Sequence, residues 1–250
     1  MKERAVLKLK LMFIGSSLTA VLFIGACFAF AQKYQVEDKL PPTSPPTPSA
    51  TSPTSHQLED VPLILQNPEL NRGCEVTSLS MLLHYHGKEV DKMELAAQIA
   101  KEPFKEGNYK GNMHQGFVGD MKTFDRSGIG VYVEPIIDLT KQYVAEDQLI
   151  DLTGKNPKDL YEQINQGRPV WVITNAEYKK LTEDQFRTWQ TAEGTMKVTY
   201  HQHSVIITGY DEQFVYINDP LKEEKNIQVN RTDFEQAWIQ MGRQAITIAE

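Results

Sequence analysis

The sequence predicts an α+β domain, with helices concentrated in its first half and an antiparallel sheet in its second. Two observations carry this. Residues Cys74 to His86 read as a helix in which Val76, Leu79, Met81, Leu82, Leu83 and Tyr85 are apolar on most sides, so the helix belongs at the centre of a core. Far downstream, Ser204 to Tyr210 and Phe214 to Asn218 read as two strands returned on each other by a turn at Asp211-Glu212-Gln213.

The chain opens on Lys2, Arg4, Lys8 and Lys10, followed by an apolar run from Leu11 to Ala31. A basic end before roughly 20 apolar residues marks an exported or membrane-inserted segment. Residues 1–31 are therefore expected to be a signal peptide or N-terminal membrane anchor. Ala29-Phe30-Ala31 resembles a signal-peptidase site, and Ile24-Gly25-Ala26-Cys27 more faintly resembles a lipoprotein acylation site. Each reading puts the rest of the chain outside the cytoplasm, either anchored to the cell membrane by this segment or secreted. Residues 32–57 are expected to form a linker, rich in Pro, Ser and Thr between Pro41 and Ser55 and without apolar surface to bury. Residues 58–250 are long enough for one domain with a sizeable core.

Within that domain, Val61 to Leu65 predicts a short strand. Gly87 ends the Cys74–His86 helix, and Asp91-Lys92-Met93-Glu94 opens a second helix reaching about Lys101. Residues 102–130 are Gly-rich and without period, a loop long enough to be functional. Val131 to Pro135 predicts a strand. Asn156-Pro157 starts a helix that Gly167 stops, and Pro169 to Thr174 predicts a buried strand. Residues 176–195 are polar with aromatic anchors and predict a lid or surface helix. Met196 to Tyr200 predicts a strand leading into the hairpin. Thr232 with Glu235 starts a last helix closed by Gly242, and Ala245 to Ala249 predicts a final strand.

The formal net charge is −7, and it becomes −10 once the four basic and one acidic residues of 1–31 are set aside. An acidic domain is not expected to bind nucleic acid. The two cysteines are Cys27, inside the N-terminal segment, and Cys74. Cys74 therefore has no partner in the exported part, and an unpaired thiol in an oxidising compartment is either buried or used.

Cys74 opens the central helix, where free N–H groups and the helix dipole favour a thiolate, the form that attacks carbonyls. His203 opens the first hairpin strand. If Gly209 pairs with Gln213, His203 falls opposite Asp219, Val205 opposite Ile217 and Ile207 opposite Val215, so imidazole and carboxylate share a face. A strict two-residue turn would slip this register by one and send Asp219 to the other face, so a longer or bulged turn is expected. Gln66, between strand and helix, offers an amide N–H that with the Cys74 N–H would make an oxyanion hole. Taken singly, these four also fit a buried structural cysteine, a surface histidine, a turn aspartate and a loop glutamine. His201 is an alternative base and His114 a surface loop residue. His84 with His86, and His201 with His203, lack a carboxylate or cysteine at a zinc spacing, so no metal and no cofactor are expected.

Five blocks together resemble a known family. They are Gln66 with Gly73-Cys74-Glu75-Val76-Thr77-Ser78-Leu79-Ser80-Met81-Leu82-Leu83, then Gly116-Phe117-Val118-Gly119-Asp120, Gly167-Arg168-Pro169-Val170, His203-Ser204-Val205-Ile206-Ile207-Thr208-Gly209-Tyr210-Asp211, and Val215-Tyr216-Ile217-Asn218-Asp219-Pro220. In this order, across nearly all of 58–250, they resemble the peptidase C39-like family of papain-like cysteine peptidases. The resemblance implies a papain-like fold, with a helix carrying the cysteine packed on an antiparallel sheet carrying His and Asp. It also implies roles: Cys74 as nucleophile, His203 as base, Asp219 as orienting acid and Gln66 as oxyanion donor, although Gln66 stands eight residues before Cys74, farther than is usual in papain-like enzymes. The function implied is an extracytoplasmic cysteine peptidase or amidase acting through an acyl-enzyme on a peptide or protein substrate, with the membrane reached through the N-terminal segment. The rivals are a catalytically inactive binding module at the cell surface and a thiol acyl or peptidyl transferase. The best-known branch of the family cuts double-glycine leaders and is fused to an exporter ATPase; its substrate is not expected here.

Overall fold

The computed structural model describes residues 54–249. The expected signal or anchor segment, and the linker as far as residue 53, lie outside the described residues. Among the described residues no helix is long and apolar enough to cross a membrane. In chain order the elements are β1 (His56–Gln57), α1 (Cys74–Tyr85), α2 (Lys92–Gln98), β2 (Lys101–Glu102), β3 (Lys105–Glu106), β4 (Tyr109–Lys110), β5 (Phe117–Val118), α3 (Val133–Thr140), β6 (Leu149–Asp151), α4 (Pro157–Asn165), β7 (Val170–Asn175), a 3-10 turn (Glu183–Gln185), β8 (Arg187–Thr191), β9 (Gly194–Val198), β10 (Gln202–Tyr210), β11 (Phe214–Asn218), β12 (Ile227–Asn230), α5 (Arg231–Gln240) and β13 (Ala245–Ile248).

The main sheet runs β12-β11-β10-β7-β13-β6, with β1 paired to the far end of β10, and every pairing in it is antiparallel. This is the α+β architecture expected. Its middle strands are apolar on both faces: all six residues of β7 are buried, and so is every residue of β10 from His203 onward. One face is covered by α1, whose first ten residues are all buried. The Trp171 indole on β7 donates to the Glu75 carbonyl (3.0 Å), and the Ser78 hydroxyl donates to the Ser204 carbonyl on β10 (3.0 Å). These two bonds fix the first turn of α1 over the sheet.

The helix signals read from sequence mostly hold. The Asp91 side chain caps α2 by accepting from the Met93 N–H (2.7 Å), and Asn156 with Asp159 forms a full capping box on α4, with Pro157 in the first turn. The last helix starts two residues earlier than expected, because the Asn230 side chain, accepting from the Asp233 N–H (3.0 Å), takes the cap instead of Thr232.

Three expectations are corrected. Val61 to Leu65 forms no strand and pairs with none of the described strands. Pro62 lacks an N–H for a ladder, and the Asn218 side-chain amide donates instead to the Val61 and Pro62 carbonyls (3.1 Å each). Val131 to Pro135 is not a strand: Val133 begins α3, with Pro135 tolerated in its first turn, and buried Val133, Ile136, Leu139 and Thr140 follow the helical period. Residues 176–195 are neither lid nor helix for most of their length but lead into the β8–β9 hairpin, where Trp189 pairs with Met196 and Thr191 with Gly194. Trp189 and Val198 join Met113, Val118, Ile129 and Tyr132 in a second, smaller apolar cluster, which ties the hairpin to the Gly-rich loop. Edge strands β6 and β12 were not expected at all.

The hairpin that carries His203 departs from the expected register in an instructive way. Its tip is the strict two-residue turn, with Asp211 N–H donating to Phe214 O (2.9 Å) and Tyr210 opposite Val215. Gly209 then pairs with Tyr216, but Ile207 pairs with Ile217, so Thr208 is an extra residue in β10. That bulge lies inside the strand rather than at the turn, and it reverses the facing that the tight turn would impose. The position calls for Gly209, because a Cβ there would stand 2.8 Å from the His56 carbonyl and 2.9 Å from the Gln57 Cα of β1.

Candidate active site

Four segments meet at the first turn of α1. Cys74 is the helix's first residue and only 7% exposed. His203, at the start of β10, and Asp219, one residue past the end of β11, are 3% and 2% exposed. The last β10–β11 pair is Ile206 with Asn218. The next step along both strands sets Asp219 diagonal to His203 on one face, two residues from the direct pairing expected. The contact nevertheless forms: His203 Nε2 lies 2.7 Å from Asp219 Oδ1. Asp219 Oδ1 also accepts from the Leu221 N–H (2.9 Å), and Oδ2 accepts from the Tyr178 hydroxyl (2.6 Å). With Nε2 turned to Asp219, Nδ1 is the nitrogen left for other proton traffic.

Burial alone would raise the Asp219 carboxyl. The bonds from His203, Tyr178 and the Leu221 N–H outweigh it and hold the group below its ordinary value. Tyr178 follows β7 with a left-handed backbone (φ +51°), rare for an aromatic residue, and its ring lies 6.3 Å from that of His203 and 6.5 Å from that of Phe234. Because Asp219 is depressed, its charge stabilises the fold above its unfolded value near about pH 4. That contribution is lost as pH falls through the lower folded value. Tyr178→Phe removes one of three donors from a buried carboxylate. The expected loss is about 1–3 kcal/mol at neutral pH, shrinking as Asp219 is protonated, and urea unfolding at neutral and at acid pH measures both.

The Cys74 sulfur does not sit in the thiolate-favouring setting that its helix position suggested. Burial pushes the thiol well above its usual range, and the neighbouring Glu75 charge pushes it further. The Ser204 N–H, which faces the sulfur from β10, acts the other way, and the Asp219 charge again raises the group. Sγ is 3.4 Å from Glu75 Oε2. Ser204 is the residue after His203, so the sulfur lies against the strand that carries the imidazole.

Gln66 is buried beside the segment that follows Asp219, its N–H donating to the Pro220 carbonyl (2.9 Å). Its side-chain amide donates to the carbonyls of Leu70 (3.0 Å) and Asn71 (3.1 Å), while Oε1 is buried without a hydrogen-bond partner among the described residues. His201 is turned to Glu177 (3.2 Å) and His114 to Glu134 (2.9 Å), both partly exposed and neither bonded to Asp219.

The profile of the Peptidase_C39 like family matches residues 58–246, nearly the whole of the described domain. The chain belongs to this family. The Peptidase_C39 like domain here is 48% identical over 182 residues to YvpB, an uncharacterized protein of Bacillus subtilis strain 168, which covers 72% of this chain and 70% of YvpB. It is also similar to the crystal structure of a Bacillus anthracis protein named as a C39-like peptidase, with a TM-score of 0.77, 48% identity, and 78% of this chain and 98% of the other covered. The cysteine protease CMS1MS2 of Carica candamarcensis, solved with E-64, overlays 79% of this chain and 99% of its own at 14% identity and a TM-score of 0.40, too distant to carry an argument.

Three residues of this Peptidase_C39 like site were not singled out from sequence. Glu75 left a signal, a carboxylate in a helix otherwise apolar on most sides and adjacent to the cysteine. Gln202 and Tyr178 left none, because their partners lie on segments distant in sequence.

Proposed function

We propose that the domain is a cysteine peptidase or amidase that works through a Cys74–His203–Asp219 triad. The observation carrying this reading is the buried His203–Asp219 pair at 2.7 Å, on the strand whose next N–H faces the Cys74 sulfur. In the reaction, His203 Nδ1 takes the Cys74 proton and the sulfur attacks the scissile carbonyl carbon. The C–N bond breaks, His203 returns the proton to the leaving amine, and an S-acyl enzyme remains. Water then attacks the acyl carbon and gives a proton to His203. The acid product leaves and the thiol re-forms. The free N–H groups of the first turn of α1 would stabilise the oxyanion. Gln66 joins them only if its amide releases Leu70 or Asn71.

The N-terminal basic-then-apolar segment supports an extracytoplasmic site of action, with peptide or protein substrates at the outer face. An amine that outcompetes water would turn the same acyl-enzyme into a transferase. A peptidyl electrophile unable to cross membranes tests the reading on intact cells and on the purified chain. Labelling of Cys74 that is lost in Cys74→Ala and strongly reduced in His203→Ala is expected. The buried, carboxylate-bonded thiol favours a second reading, an inactive binding module. It expects labelling indifferent to His203 and biological function retained by Cys74→Ala.

A further inference from the structure

The Cys74 thiol has a hydrogen-bond partner that the triad does not use. Glu75 is 1% exposed, and its two carboxyl oxygens are divided between separate tasks. Oε1 accepts from the Val131 N–H (3.2 Å) and from Gln202 Nε2 (2.9 Å), while Oε2 accepts from the Cys74 sulfur (3.4 Å). Gln202 is itself tied down, its Nε2 also donating to the Val131 carbonyl (3.1 Å). The space for this arrangement is made by Gly130, where a Cβ would stand 2.5 Å from Glu75 Oε1 and 2.6 Å from Gln202 Nε2. A buried carboxylate with two fixed donors and a glycine cleared beside it is a built feature rather than a stray charge.

We infer that Glu75 is a positioning residue for the nucleophile: held by Gln202, Val131 and Gly130, it grips the Cys74 proton and keeps the sulfur a neutral thiol until substrate binds. The inference rests on Cys74 being the nucleophile and goes beyond the triad, in which Glu75 has no part. The groups acting on the sulfur are Glu75 on α1 itself, the Ser204 N–H on β10, Asp219 after β11 and Tyr178 after β7, with His203 adjoining them as the residue before Ser204 and the partner of Asp219. Both carboxylates oppose a negative charge on sulfur. Among the described residues, Glu75 alone is in position to accept its proton directly in the resting arrangement. Ionisation therefore needs the proton to pass to His203, whose imidazolium offsets the new charge. A thiol kept neutral also resists oxidation and stray electrophiles outside the cell.

Glu75→Gln is the discriminating change. Gln can keep its carbonyl oxygen toward Val131 and Gln202 while presenting an N–H in place of Oε2, so the sulfur meets a donor instead of an acceptor. Iodoacetamide alkylation of the full chain is followed against pH, with mass spectrometry resolving Cys74 from Cys27. The expected result is a midpoint about one unit lower in Glu75→Gln than in wild type, with Cys74 alkylated about tenfold faster at neutral pH. An unchanged midpoint overturns the inference, and a raised one overturns it in favour of Glu75 as the base. Should the variant not fold, the infrared S–H band of the wild-type chain, taken as a difference against Cys74→Ala, decides the matter. Its presence at neutral pH supports the inference and its absence there overturns it. The peptidyl-probe result in His203→Ala separates the two readings: labelling that ignores His203 sinks the triad, whereas a fixed midpoint in Glu75→Gln sinks only the role of Glu75.

Discussion

His203→Ala is expected to lower turnover of a peptide substrate by about 10²- to 10⁴-fold, the range that a positioned acid–base group contributes. The expectation is at the upper end here, because this thiol starts buried and above its ordinary range, with Glu75 accepting its proton. Without the imidazole the proposed reaction loses the base that takes the thiol proton and the acid that returns it, so both acylation and release of the amine should suffer. The Asp219 variants sharpen the test. Asp219→Asn retains an oxygen for His203 Nε2 and the Leu221 N–H but loses the negative charge and the acceptor of the Tyr178 hydroxyl, so a loss smaller than that of His203→Ala is expected. Asp219→Ala frees the imidazole to rotate and should approach the His203→Ala rate. Single-turnover acylation of His203→Ala, Asp219→Asn and Asp219→Ala measures the series. A His203→Ala protein as fast as wild type would remove the triad.

Trp171→Ala is expected to be the most damaging single truncation in the core, costing about 3–5 kcal/mol. Trp171 is fully buried on β7, between Ile206 of β10 and Ile246 of β13, and its indole N–H satisfies the Glu75 carbonyl at 3.0 Å. Truncation opens a cavity beneath the first turn of α1 and removes the indole bond that ties β7 to that turn. For a domain of this size the melting temperature should fall by roughly 10 °C. Trp171→Phe keeps most of the volume and loses the donor, so it should cost much less. Thermal and denaturant unfolding of the two variants separates the packing loss from the hydrogen bond.

Legibility followed the range of the interaction that each feature depends on. The span of α1, the caps of α2 and α4 and the buried strand β7 are written in neighbouring residues: apolar spacing, Asp91, Asn156-Pro157, a run of branched side chains. Val131 to Pro135 misled because five residues carry too little of either period. Only the continuation through Ile136, Leu139 and Thr140 makes the helical one visible. The β8–β9 hairpin was hidden because its alternation is weak, with Trp189, Thr191 and Val198 turned inward and most of the rest in water. Edge strands β6 and β12 owe their existence to the partner that each one pairs with.

The residue types at the site, Gln66, Cys74, His203 and Asp219, and the need for a register correction in the hairpin were present in the sequence alone, because chemistry and strand parity are local properties of a chain. The tertiary structure decided where the correction falls, at Thr208 beside the approach of β1. It also decided which donors Asp219 receives and that the Cys74 proton is turned toward Glu75. These depend on distances between segments far apart in sequence, which close packing settles to within an ångström and no local pattern encodes.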